Sequence, residues 1–302
     1  MTPEEIKLRL INNDALFNNI FVIEQNFDIV PNTHPHYGAA IAYQDLTELR
    51  GDFLSQLVDT VVDWVYGTSK FAELQGRYIA SGKSVAAASS EIIRKAKQKF
   101  RRSDDKLLIQ GQLGELLLFH FIQRTMQAVP LLRKMPITTS SSHERFGADA
   151  IHYKIRDDKN IMILGEAKAY TSPYKFSVAF ENAINSILDT YENLRSELNL
   201  YLHEDFLDAE MDQVAEAFLT NKLPNVEVEL VSLVLYDETS NIKVTNEQEI
   251  KNQITQIVIE RYSNFDNSKI DLDKHPILRR ITYIVFPIWK FDEIADEFQK
   301  MF

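Results

Sequence analysis

Apolar residues recur every three or four positions along much of the chain, and elsewhere they run together in short blocks. A helix repeats its buried face about every 3.6 residues and a strand every two, so the spacing names the element. Leu46, Leu49, Phe53, Leu57, Val61, Trp64 and Val65 keep helical spacing and predict one helix over 46–65, with Trp64 in the core. Ile92, Ile93, Ala96 and Phe100 predict a second over 84–102, its basic residues outward. Leu108, Leu113, Leu116, Leu117, Phe119, Phe121 and Ile122 predict a third, opened by Asp104 and Asp105 as caps and running to about residue 127. Behind the break at Ser172-Pro173, the series Phe176, Phe180, Ala183, Ile184, Ile187, Leu188, Tyr191, Leu194 and Leu198 marks a long amphipathic helix. Further helices are predicted over 206–219, 247–262 and 290–302.

Apolar blocks bounded by polar clusters predict strands over 20–30, 131–138, 226–236 and 281–286. The sharpest strand pattern is a hairpin. Asp149 opens the run Ala150-Ile151-His152-Tyr153, residues 156–160 turn, and Ile161-Met162-Ile163-Leu164-Gly165-Glu166-Ala167-Lys168 returns. From residue 105 the order is therefore helix, three strands, long helix, strand. Such alternation implies an α/β protein with a mixed sheet flanked by helices. No internal repeat or low-complexity tract interrupts it.

Composition narrows the class without naming a function. The 302 residues are 45% hydrophobic and 25% charged, as in an ordinary globular protein. There is no cysteine, which excludes disulfides and thiolate metal sites and suits a cytoplasmic location. Met1-Thr2-Pro3-Glu4-Glu5 lacks a basic-then-apolar signal pattern, and no run approaches the roughly 18 apolar residues of a membrane span, so no membrane partner is expected. The net charge of −11 speaks against nucleic acid, but its distribution does not. Residues 94–175 hold 16 Lys/Arg against 8 Asp/Glu, a local +8 around the hairpin within an acidic whole. A local field steers a ligand more effectively than net charge does. The same cations also fit a solvated basic helix over 94–102.

Strand alternation places Glu166 and Lys168 on one face, with Met162 and Leu164 behind them. Antiparallel pairing brings Asp149 within reach of Glu166. Two carboxylates at close range repel unless a cation separates them. A hard divalent ion, Mg²⁺ or Mn²⁺, suits such oxygens. It lowers the pKa of a bound water and neutralises a scissile phosphate, and a lysine beside it orients or deprotonates that water or offsets phosphate charge. Glu115 lies among Leu113, Leu116 and Leu117, either on a solvated helix face or buried with a partner. Other candidates carry less. His34 and His36 sit between prolines without a third ligand nearby and read as loop residues. His120 reads as a helix-surface or core histidine. Gly82-Lys83-Ser84 resembles the end of a phosphate loop, but five residues rather than four separate Gly76 from Gly82, and the preceding segment is helical, which excludes it.

The stretch from Leu113-Gly114-Glu115 through Phe146-Gly147-Ala148-Asp149 to Gly165-Glu166-Ala167-Lys168 resembles the PD-(D/E)XK, or restriction-endonuclease-like, nuclease superfamily. Ala148 stands where that pattern has proline. More narrowly, it resembles the HamA-like nuclease subunit of the Hachiman antiphage system. The resemblance implies a restriction-endonuclease-like core over 104–302, behind a mostly helical N-terminal α/β region over 1–103 that shows no recognisable chemistry. It implies a magnesium-dependent endonuclease, most simply of DNA, in which Asp149 and Glu166, with the Ala167 carbonyl, bind the ion. Glu115 would join through water or a second ion, and Lys168 would serve the attacking water. It further implies a HamB-like superfamily 2 helicase partner that binds DNA and restrains the nuclease. Arg133, Lys134, Arg145 and Lys175, basic and near the hairpin, are expected to touch phosphates. Two other readings remain open: a nucleic-acid-binding or scaffold subunit without turnover, and a purely structural hairpin in which Lys168 pairs with Glu166 or Asp149.

Overall fold

The computed structural model describes residues 2–100, 104–132, 147–170, 176–201, 209–243 and 245–302. The chain opens with two short helices, α1 (Pro3–Arg9) and α2 (Asp14–Phe17). Thr2 starts α1 with a reciprocal capping box to Glu5, behind which Pro3 loses nothing by lacking an N–H. Strand β1 (Ile20–Glu24) pairs antiparallel with β2 (Tyr37–Ile41). Pattern alone misses β2, because its centre is Gly38-Ala39-Ala40. The reason is packing: a Cβ on Gly38 would lie 2.6 Å from Val258 Cγ1, so the helix above can approach only a bare backbone.

The single helix predicted over 46–65 is instead a short strand and two helices. A two-residue ladder, β3 (Tyr43–Gln44) with β4 (Thr47–Glu48), precedes α3 (Arg50–Asp59), and α4 (Val61–Ala80) follows after a break at Thr60. The Thr60 hydroxyl bonds the Leu57 carbonyl at 2.6 Å, competing with the helix ladder. Burial continues across the break through Leu57, Val61, Trp64 and Val65, which is why the periodicity hides it. Gly67, inside α4, takes φ 65 and kinks that helix too. Helix α5 (Val85–Lys97), capped by Ser84, is followed by α6 (Lys106–Met126), capped by Asp105.

The remaining elements build the sheet and its crossovers. Strands β5 (Val129–Leu132), β6 (Ala150–Arg156) and β7 (Lys159–Tyr170) form an antiparallel meander. Helices α7 (Phe176–Tyr201) and α8 (Ala209–Leu219) lead to β8 (Val226–Glu238), which lies parallel to β7. Helix α9 (Glu247–Ser263) leads to β9 (Ile281–Trp289), parallel to β8, and α10 (Phe291–Lys300) closes the chain. Among the described residues the large sheet has seven strands in the order β1-β2-β9-β8-β7-β6-β5. The mixed sheet flanked by helices is thus the architecture that the alternation predicted. The first hundred residues contribute β1 and β2 to this same sheet, through a parallel β2–β9 pair.

Strand β7 shows how the sheet divides the core. Ile161, Ile163 and Ala167 pack with Leu113, Leu117 and Leu118 of α6 and with Phe53 and Phe286. Met162 and Leu164 point the other way, among Phe180, Ile184 and Ile187 of α7. Strands β7, β8 and β9 are covered on both faces and read as nearly unbroken apolar runs, as buried parallel strands do. Each fully buried leucine or isoleucine there contributes about 1.5–3 kcal/mol. Among the described residues no helix is long and apolar enough to cross a membrane.

Candidate active site

Strand β7 is longer than β6 at one end, and the site occupies that difference. The last rung of the ladder there joins Ala150 to Gly165, which leaves the Ala167 N–H without a strand partner. A buried amide needs an acceptor. Asp149, immediately before β6, supplies it: its Oδ2 accepts from Ala167 N–H at 3.0 Å. The Ala167 carbonyl leaves an extended strand on the same edge as its N–H, so it too faces the Asp149 side. The backbone just before Asp149 is held from α7. Ala148 N–H donates to Glu197 Oε2 at 3.0 Å, and a Cβ on Gly147, at φ 157, would collide with the same carboxylate.

Glu166 is only 3% exposed, and its carboxylate is met from α7 and from its own strand. Thr190 Oγ1 donates to Oε1 at 2.7 Å, and Ser186 Oγ donates to Oε2 at 3.1 Å. Lys168 Nζ lies 3.3 Å from Oε2. Burial by itself would lower the lysine pKa, but the charges of Glu166 and Asp149 together outweigh it and hold the pKa above its ordinary value. Asp149, Glu166 and Lys168 are therefore together, as the hairpin register requires, and Lys168 is a cation in this state.

Glu115 is placed differently. It is half-buried on α6, next to Gly114, where a Cβ would lie 3.4 Å from Ala167 Cβ. That helix covers the Ile163 and Ala167 face of β7, whereas the Glu166 carboxylate is held from the α7 face. The backbone of α6 beside Glu115 thus passes Ala167 on the face of the sheet away from α7. Among the described residues no group of three or more His, Asp or Glu side chains is arranged to hold a metal ion. The donors that do gather, Asp149 and Glu166 with the Ala167 carbonyl beside them, are hard oxygens of the kind that suits a divalent cation, and the set fits such an ion chemically. Arg133, Lys134, Arg145 and Lys175 lie outside the described residues.

His36 and His120 have structural work. His36, buried, bonds the Pro31 carbonyl through Nε2 and accepts the Tyr283 N–H at Nδ1, 3.1 Å away. That pattern fits the neutral ring, and burial lowers its pKa. His120 is fully buried on α6, its Nε2 2.7 Å from Thr60 Oγ1, and burial pushes its pKa down to about 3. Sequence reasoning missed Ser186, Thr190 and Glu197. Their trace was visible, since Thr190 and Glu197 interrupt the inward stripe of Ile187, Leu194 and Leu198, but no local pattern says what they meet across the sheet.

Comparison with curated proteins finds no match. A family model described as HamA matches residues 15–302, a span that contains α6, the hairpin and α7. With nearly the whole chain inside that match, site included, the chain belongs to the HamA family and so to the Hachiman antiphage defence system.

Proposed function

We propose that the chain is a metal-dependent phosphodiesterase that cuts DNA in antiphage defence, acting with a HamB-like helicase that restrains it. The observation that carries the reading is the hairpin-end constellation, with Asp149 on the Ala167 N–H and Lys168 3.3 Å from a buried Glu166. Asp149, Glu166 and the Ala167 carbonyl would hold Mg²⁺ or Mn²⁺, and Glu115 is the candidate for a contact through water. Such an ion, when bound, supplies an acidified water and neutralises phosphate charge. The Asp149 and Glu166 carboxylates fix where a cation can sit. Burial of Glu166 beneath α7 keeps bulk water off one side. Lys168, one-third exposed, can reach a phosphate oxygen or the attacking water.

The Lys168–Glu166 pair, 3.3 Å apart, also suits a second reading, a purely structural hairpin in a chain without turnover. One experiment separates the two. Duplex DNA is incubated with the chain in Mg²⁺, alone and with its helicase partner, beside Asp149→Asn, Glu166→Gln and Lys168→Arg. Cleavage by the wild type, its loss in the first two variants, and a drop of roughly 10²-fold or more in Lys168→Arg are expected if the lysine handles the water proton. A guanidinium keeps the charge but is effectively never deprotonated. Lys168→Arg within a few-fold of wild type would leave the lysine an electrostatic role only. No cleavage by the wild type in either setting, or full cleavage by Asp149→Asn, would overturn the nuclease reading.

A further inference from the structure

We infer that α7 carries the positioning residues of this site: Ser186 and Thr190 set the orientation in which Glu166 meets a divalent cation. The inference rests on the reading of Asp149 and Glu166 as cation ligands.

Residues 186 and 190 lie one helical turn apart, so both side chains leave α7 on the same side, toward β7. Their neighbours on that side, Ala183, Ile187 and Leu194, are buried and apolar. A hydroxyl in such a stripe costs free energy unless it is hydrogen-bonded. Serine and threonine within a helix commonly return their proton to the carbonyl four residues back, and Thr125 and Thr255 do so here. Ser186 and Thr190 instead donate to Glu166, one to each carboxylate oxygen, at 3.1 and 2.7 Å. Two donors on two oxygens fix the carboxylate plane as well as its position. The same helix holds the other half of the site, since Glu197 anchors the Ala148 N–H just ahead of Asp149. One rigid element therefore registers both acids against each other. Removing partners of this kind from around metal ligands typically changes affinity by about 10–100-fold.

The test uses the full chain and Mn²⁺ alone, with binding read by calorimetry and melting temperature recorded beside it. Thr190→Val and Ser186→Ala are each expected to weaken Mn²⁺ binding by about 10-fold or more. Thr190→Ser, which restores a hydroxyl, is expected to bind within a few-fold of wild type. A merely structural role for Thr190 would move the melting temperature and leave Mn²⁺ affinity alone. Ser186 is half-buried, so Ser186→Ala carries the test if Thr190→Val does not fold. Mn²⁺ binding equal to wild type in both Thr190→Val and Ser186→Ala would overturn the positioning role while sparing the cation reading. Absence of Mn²⁺ binding by the wild type would overturn the cation reading, and this inference with it.

Discussion

Titratable side chains are legible in the sequence to different degrees. Glu166 and Lys168 are two apart on a strand, so their shared face follows from backbone geometry alone, and the salt bridge between them is the result. His120 is six residues beyond Gly114 on α6, and nothing local says whether it faces water or core. Tertiary packing buries it fully against Thr60 and pushes its pKa down to about 3. The consequence is a pH dependence with a definite sign. The folded pKa lies below the unfolded value near 6.5, so the unfolded chain binds the extra proton. Stability from the neutral ring is complete above pH 6.5 and is lost as pH falls toward about 3. The loss amounts to on the order of 5 kcal/mol at the acid end. Melting temperature measured between pH 7 and pH 4 is expected to fall more steeply in wild type than in His120→Gln. Equal slopes would show that His120 is not the group responsible.

At the scale of elements, periodicity located most helices and strands but could not see where small residues or side-chain bonds redirect the backbone, as at Gly38 and Thr60. It also could not see pairs that form across a strand. Glu229 on β8 is 2% exposed at its side chain and pairs with Lys154 on β6, 3.3 Å away across β7, and with Arg156. Burial lowers the Lys154 pKa, and Glu229 offsets part of that effect. Removing one partner of a buried pair leaves the other charge uncompensated. Glu229→Gln is therefore expected to lower unfolding free energy in urea by about 3–5 kcal/mol. Glu229→Leu combined with Lys154→Met is expected to recover most of it, because no buried charge is then left without a partner and Arg156, half exposed, can turn to water. A single variant as stable as wild type would show that the pair contributes little to holding β6 and β8 about β7.

For the whole molecule, charge is uneven in a way that matters for a polyanion. The chain is −11 overall, yet residues 94–175 carry +8. Leu132, Gly147 and Tyr170 lie at the end of the sheet where Asp149 and Lys168 sit. Replacing Arg133, Lys134, Arg145 or Lys175 by alanine, one at a time, is expected to reduce the salt slope of DNA binding by about one for each phosphate left without its cation. An affinity that does not vary with salt would exclude phosphate binding as its source. The sequence by itself determined the α/β alternation, the hairpin, and the grouping of Asp149, Glu166 and Lys168. Strand period, helix period and turn residues are local properties, and these follow from them. Only the tertiary structure decided what surrounds that group. Ser186, Thr190 and Glu197 reach it from 20, 24 and 49 residues away along the chain, and α6, which carries Glu115, packs on the opposite face of the sheet from α7. Those outcomes depend on how two helices pack on either side of one strand, and packing is settled by the shapes of distant apolar faces meeting, which no window of sequence contains.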